Sequence, residues 1–182
     1  MRSHRAAGLA LAFGLSASLA AAAPRRAAAG ASVAPEVFGG YSFTQAGEAD
    51  LHGVGLSGSY PLGPTFRLVL DLSGHTGSFA GADLGQLGVM AGARWTPSSS
   101  RLRPFAEGVL GGVRTSVEVD VGGTRVSDAD TDWGLAIGGG ADYGLGGAWS
   151  LRGLVHLRML SGEGGWSTDP RLAVGVSYRL GR

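Results

Sequence analysis

The chain has 182 residues, with 34 Gly, no Cys and 15 basic residues, all of them Arg, against 14 acids for a formal net charge of +1. Gly lies far above its usual level of roughly 7%, yet no G-X-Y period runs through the chain and 44% of residues are hydrophobic, which excludes collagen and a disordered tail. The lack of Cys excludes disulfide scaffolds, thiol catalysis and thiolate metal sites, and the near balance of charge excludes a polybasic nucleic-acid binder.

Met1–Arg5 carries two Arg, Ala6–Ala20 is an uncharged apolar run, and an A-x-A site follows at Ala21–Ala23. This order predicts a cleaved signal peptide over 1–23, too short to span a bilayer as a helix. Its removal leaves 13 Arg against 14 acids, a mature charge of −1. Residues 24–34 lack periodicity and read as a flexible leader. No later stretch offers the roughly 18 consecutive apolar residues of a helical span.

From residue 35 to 182 the pattern is period two, broken by Gly, Pro, Ser and Asp clusters. Strands are predicted at about 35–44, 51–61, 65–76, 84–97, 102–115, 131–144, 149–160 and 170–180, long for ordinary sheets. In the sixth, Trp133, Leu135, Ile137 and Tyr143 oppose Asp132, Gly138, Gly140 and Asp142. The third and eighth likewise set Leu and Val against Arg and small residues. A soluble sandwich would rarely carry so much Gly on its polar face. A small barrel inverts the pattern: the apolar face meets lipid and small residues fit a narrow interior. The fold class is therefore all-β, an eight-stranded antiparallel up-and-down transmembrane β-barrel.

Short connections at Leu62-Gly63-Pro64, Pro97–Arg101 and Gly144–Ala148 alternate with longer polar ones at 77–83, 116–130 and 161–169, plus a modest one at 45–50. Short turns are expected to be periplasmic. Tyr60, Trp95, Tyr143, Trp149 and Tyr178 then form a periplasmic aromatic belt.

From Val37 to Leu180 the chain resembles the small outer-membrane β-barrels of the OmpA transmembrane-domain, OmpX and opacity-protein type. The resemblance rests on Val37-Phe38-Gly39-Gly40-Tyr41, on the run Leu102–Gly112, and on the terminal Gly175-Val176-Ser177-Tyr178-Arg179-Leu180. It implies export to a Gram-negative outer membrane, passage through the barrel-assembly machinery, and contact with outer-membrane lipids and lipopolysaccharide as a monomer. Members typically end in an aromatic residue, whereas here Gly181-Arg182 follow Leu180. No peptidoglycan-binding domain is expected after the barrel.

The strand phases turn acids Glu36, Asp71, Glu107, Asp132 and Asp142, bases Arg67, Arg94, Arg103, Arg152, Arg158, Arg171 and Arg179, and also His156 and Gln86 inward. Arg, with a planar fork that stays protonated under burial, suits an interior ion-pair network. The expected function is a structural or surface-interaction role, with that network as a plug and acidic outer loops as the contact surface. Those loops hold Glu48, Asp50, Asp83, Glu118, Asp120, Asp128, Asp130, Glu163 and Asp169 against Arg114 and Arg125. The alternatives are a small-conductance pore gated by interior ion pairs and, in third place, a lipid-A-modifying hydrolase. His52, His75 and His156 show no Ser and acid in triad order, so no catalytic residue is expected. Asp128, Asp130 and Asp132 begin like a calcium loop, but Trp133 and Gly139 stand where Gly and Glu are required, and no metal or cofactor is expected.

Overall fold

Unbroken period-two alternation yields eight strands and no helix among the described residues: β1 (Glu36–Ala46), β2 (Ala49–Pro61), β3 (Phe66–Phe79), β4 (Ala82–Trp95), β5 (Leu102–Val121), β6 (Thr124–Gly146), β7 (Trp149–Gly162) and β8 (Gly165–Arg179). The structure is a computed structural model and describes residues 34–79, 82–97, 100–121, 124–162 and 165–181. The expected signal peptide, leader residues 24–33 and Glu163 lie outside the described residues. Each strand pairs antiparallel with its sequence neighbours, and β1 closes on β8 from Glu36↔Arg179 to Thr44↔Arg171. Closure pairs every strand on both sides, which a lipid solvent requires of any β structure.

Glycine at the closing seam has a backbone cause. Gly40 and Gly175 face each other across β1 and β8. A Cβ at Gly175 would run into the Gly39 carbonyl oxygen and the Gly40 Cα, and one at Gly40 into the Val174 carbonyl. Gly138 and Gly140 meet the β7 backbone in the same way. The expected role of glycine as room for interior side chains holds at Gly55, where a Cβ would sit 2.7 Å from Arg171 Nη2. At the seam it instead lets strands coil tightly past each other, as a small closed barrel demands.

The outer connections differ from the sequence expectation. The described residues of 77–83, 116–130 and 161–169 belong to strands: pairing runs out to Phe79↔Ala82, Val121↔Thr124 and Gly162↔Gly165. In β5 the continuation alternates Val117 and Val119 with Glu118, a period-two pattern that the polar and Gly residues around it obscure. The asymmetry of the barrel lies in strand length, 20 residues in β5 and 23 in β6 against 11 in β1.

The outer wall is apolar from Val37 and Leu68 through Leu110 and Ile137 to Val155 and Leu172. Trp149 and Tyr178 pack against each other with ring centroids 4.7 Å apart and planes tilted by 56° at the end that carries the termini. Tyr60, Trp95 and Tyr143 are exposed at that same end. At the other end Trp133 and Trp166 flank Ser161 on β7 and stand open, Trp166 at 75%. The twelve-residue step from Trp149 to Ser161, at ~3.3 Å per residue and a tilt of roughly 40°, spans about 30 Å, close to a bilayer core. Trp166 falls in the expected 161–169 connection, and it joins a second girdle because β8 begins at Gly165.

Candidate functional site

Strand register builds the interior as rows of cross-strand neighbours, whose side chains lie within contact of one another. Nearest the termini, Arg103 on β5, Asp142 on β6 and Arg152 on β7 stand side by side. Arg152 donates to Asp142 through Nε at 2.6 Å and Nη2 at 2.9 Å. Glu36 of β1 meets four guanidiniums: Arg103 Nη1 and Arg179 Nε at 3.2 Å, Arg152 Nη2 at 3.4 Å and Arg67 Nε at 4.0 Å.

The next row is Arg94, Glu107, Gly138, His156 and Arg171. Arg94 donates through Nε to Glu107 Oε2 at 2.6 Å. His156 Nε2 lies 3.2 Å from Glu107 Oε1, reaching over Gly138, where a Cβ would crowd the imidazole at 2.6 Å. Arg171 donates to Asp71 at 2.5 Å and to Ser42 Oγ at 2.9 Å. Higher still, Arg158 donates to Thr44 and Gln86 at 2.7 Å and lies 3.7 Å from Asp169. Arg94, Arg152, Arg158 and Arg171 are each at most 2% exposed.

Two assignments change. Asp132 is half-buried and makes no ion pair among the described residues, its carboxylate lying instead where a Cβ on Gly162 would be. Asp169, read as an outer-loop acid, is buried beside Arg158 because β8 begins five residues earlier than expected. The interior is also less polar than the charges imply. Val69, Met90, Val109, Val113, Ala136 and Leu160 form one buried cluster, and Phe38, Phe105, Leu154 and Ala173 another. Phe105 lies under Arg94 at 4.5 Å and Arg152 at 5.2 Å, so its ring face meets two cations. The signal for these clusters was present in strand parity: Val69, Leu154 and Leu160 share the face of the charges.

A Ser–His contact absent from the sequence reading joins Ser42 Oγ and His75 Nε2 at 2.9 Å. Both side chains are at most 1% exposed, Ser42 Oγ already accepts from Arg171 Nε, and His75 Nδ1 has no partner among the described residues. Nucleophilic hydrolysis needs an orienting acid on that nitrogen, and none stands there among the described residues. No group of His, Asp and Glu that could hold a metal ion occurs among the described residues.

Residues 7–179 match the family described as outer membrane protein beta-barrel domain. None of the curated proteins matches the chain in sequence. Among solved structures the chain is similar to Neisserial surface protein A (TM-score 0.64, 18% identity, 80% of this chain and 96% of that one). It is likewise similar to Ail, the attachment invasion locus protein of Yersinia pestis (TM-score 0.60, 15% identity, 81% and 97%). A third is the outer membrane protein OprG of Pseudomonas aeruginosa (TM-score 0.55, 16% identity, 81% and 96%).

Proposed function

The chain belongs to the outer-membrane β-barrel domain family, and from that premise we propose that this bacterial outer-membrane protein has a non-catalytic surface-interaction role carried by its β5–β6 hairpin. The observation behind this reading is the pairing of β6. From Trp133 onward it pairs with β7, but over Thr124–Asp132 it pairs with β5 alone among the described residues. A free strand edge is a template for another extended chain. Along it stand Asp128, Asp130 and Asp132 at every second position, favouring a basic segment added as a further strand. In this reading the termini face the periplasm and the hairpin the cell exterior, with the barrel monomeric in lipid and lipopolysaccharide.

The test uses the whole protein in nanodiscs and a synthetic octapeptide alternating Lys and Val. Binding that weakens with salt, and that is lost when Asp128, Asp130 and Asp132 are all changed to Asn, is the expected result. Equal binding by this triple variant would remove the hairpin as the contact surface.

The two buried apolar clusters support a closed interior over a gated pore, since side chains commonly fill eight-stranded barrels. Planar-bilayer recording is expected to give no single-channel steps. Steps whose size changes in Glu107→Ala would establish the pore instead. Overexpression is expected to leave lipid A mass unchanged, and a shifted mass would establish the hydrolase.

A further inference from the structure

At the termini end the arginines outnumber the carboxylates they share. Arg67, Arg103, Arg152 and Arg179 meet Glu36 and Asp142 and no other acid among the described residues. The nearest further carboxylates are committed elsewhere, Glu107 to Arg94 and Asp71 to Arg171. Two positive charges therefore remain in a cluster whose side chains range from 1% to 16% exposed. Uncompensated charge at such burial is costly.

Donors are also left over on the partly exposed members of the cluster. Arg179 engages Glu36 through Nε, and its two terminal nitrogens have no partner among the described residues. Arg67 uses Nε on Ser59 and Nη2 on the Ala34 carbonyl, leaving Nη1. Arg67, Arg103 and Arg179 are the members of the cluster open to solvent, at 11%, 15% and 16%. Guanidinium forks on one centre match a tetrahedral oxyanion, which accepts from several directions at once.

We propose that this mouth is a binding site for a phosphate dianion, either inorganic phosphate or a phosphomonoester, held by the free donors of Arg67 and Arg179 with the guanidinium of Arg103, already engaged by Glu36, Asp142 and Ser150, adding charge beside them. A dianion supplies both missing charges; a carboxylate or phosphodiester supplies one. The site lies at the opposite end of the barrel from the β5–β6 hairpin, so it stands or falls independently of the surface role.

The test titrates inorganic phosphate into the full-length folded protein in phosphatidylcholine nanodiscs at low ionic strength. Measurements are made at about pH 8 and about pH 5, either side of the second ionisation of inorganic phosphate, which lies near neutral pH and somewhat above the roughly 6 of a phosphomonoester. Phosphate affinity is expected to fall by about a hundredfold at the lower pH as the dianion is lost, while sulfate, a dianion at both, binds equally. Arg67→Gln and Arg179→Gln are each expected to weaken phosphate by about tenfold, and Arg114→Gln, near the far end of the barrel, to leave it unchanged. Folding of each variant is read by heat-modifiable migration, and the sulfate comparison on the unaltered protein needs no variant. Displacement of bound phosphate by phosphatidic acid but not phosphatidylglycerol in the disc would make a lipid headgroup the ligand. No displacement would make it free phosphate. Absence of both phosphate and sulfate binding, or equal weakening by Arg114→Gln, would overturn the proposal.

Discussion

Glu107→Ala is expected to destabilise the folded barrel by about 3–5 kcal/mol, because it strands Arg94 in a space closed to water. Arg94 is 1% exposed, Glu107 is its only ion-pair partner among the described residues, and His156 also faces that carboxylate. The charge has no route outward: the outer wall is lipid-facing and Phe105 lies across the guanidinium at 4.5 Å. Equilibrium urea unfolding in micelles measures the loss. The double variant Arg94→Met with Glu107→Leu removes both charges and keeps most of the volume, and is expected to recover most of the stability, since apolar replacement of a buried pair is often neutral or better. A double variant as unstable as the single one would mean that packing at this level, and not the stranded charge, dominates.

Gly175→Ala is expected to destabilise by about 1–3 kcal/mol although it adds a single methyl group. Its Cβ would collide with the Gly39 carbonyl and the Gly40 Cα on β1, and backbone atoms on a paired strand cannot rotate away as a side chain can. Because β1 and β8 are the closing pair, the cost falls on closure itself. Gly153→Ala provides the contrast, since nothing lies within 4 Å of a Cβ there and the position is exposed on the outer wall. Heat-modifiable migration against temperature reads both. Equal behaviour of the two variants would mean that strand propensity, and not close approach at the seam, sets the requirement for glycine.

Strand count, strand faces and the apolar wall were legible because period two is a local property: each residue's side is set by its neighbours two places away. The same parity carried Arg94, Glu107, Arg152 and Arg171 to the interior, along with Val69 and Leu154, which the weight of charge obscured. The strand ends were less legible. Beyond the lipid band both faces of a strand meet water, so the alternation of Val117, Val119 and Val121 with Glu118 and Asp120 is set among polar and Gly residues and resembles a loop. That difference moved Asp169 from the surface to the side of Arg158 and turned an expected loop into a hairpin with a free edge.

By itself the sequence determined an exported eight-stranded barrel with apolar residues outside and arginines and carboxylates within, since lipid leaves few other uses for long alternating strands rich in glycine. Only the tertiary structure decided which charges meet. Glu36 and Arg179 are 143 residues apart, and their 3.2 Å contact exists because β1 closes on β8 in one register. Closure likewise decided that four arginines share two carboxylates at one mouth, and that glycine at the seam answers to a neighbouring backbone. Both are properties of strands distant in sequence and adjacent in space, set by the stagger that a closed barrel imposes.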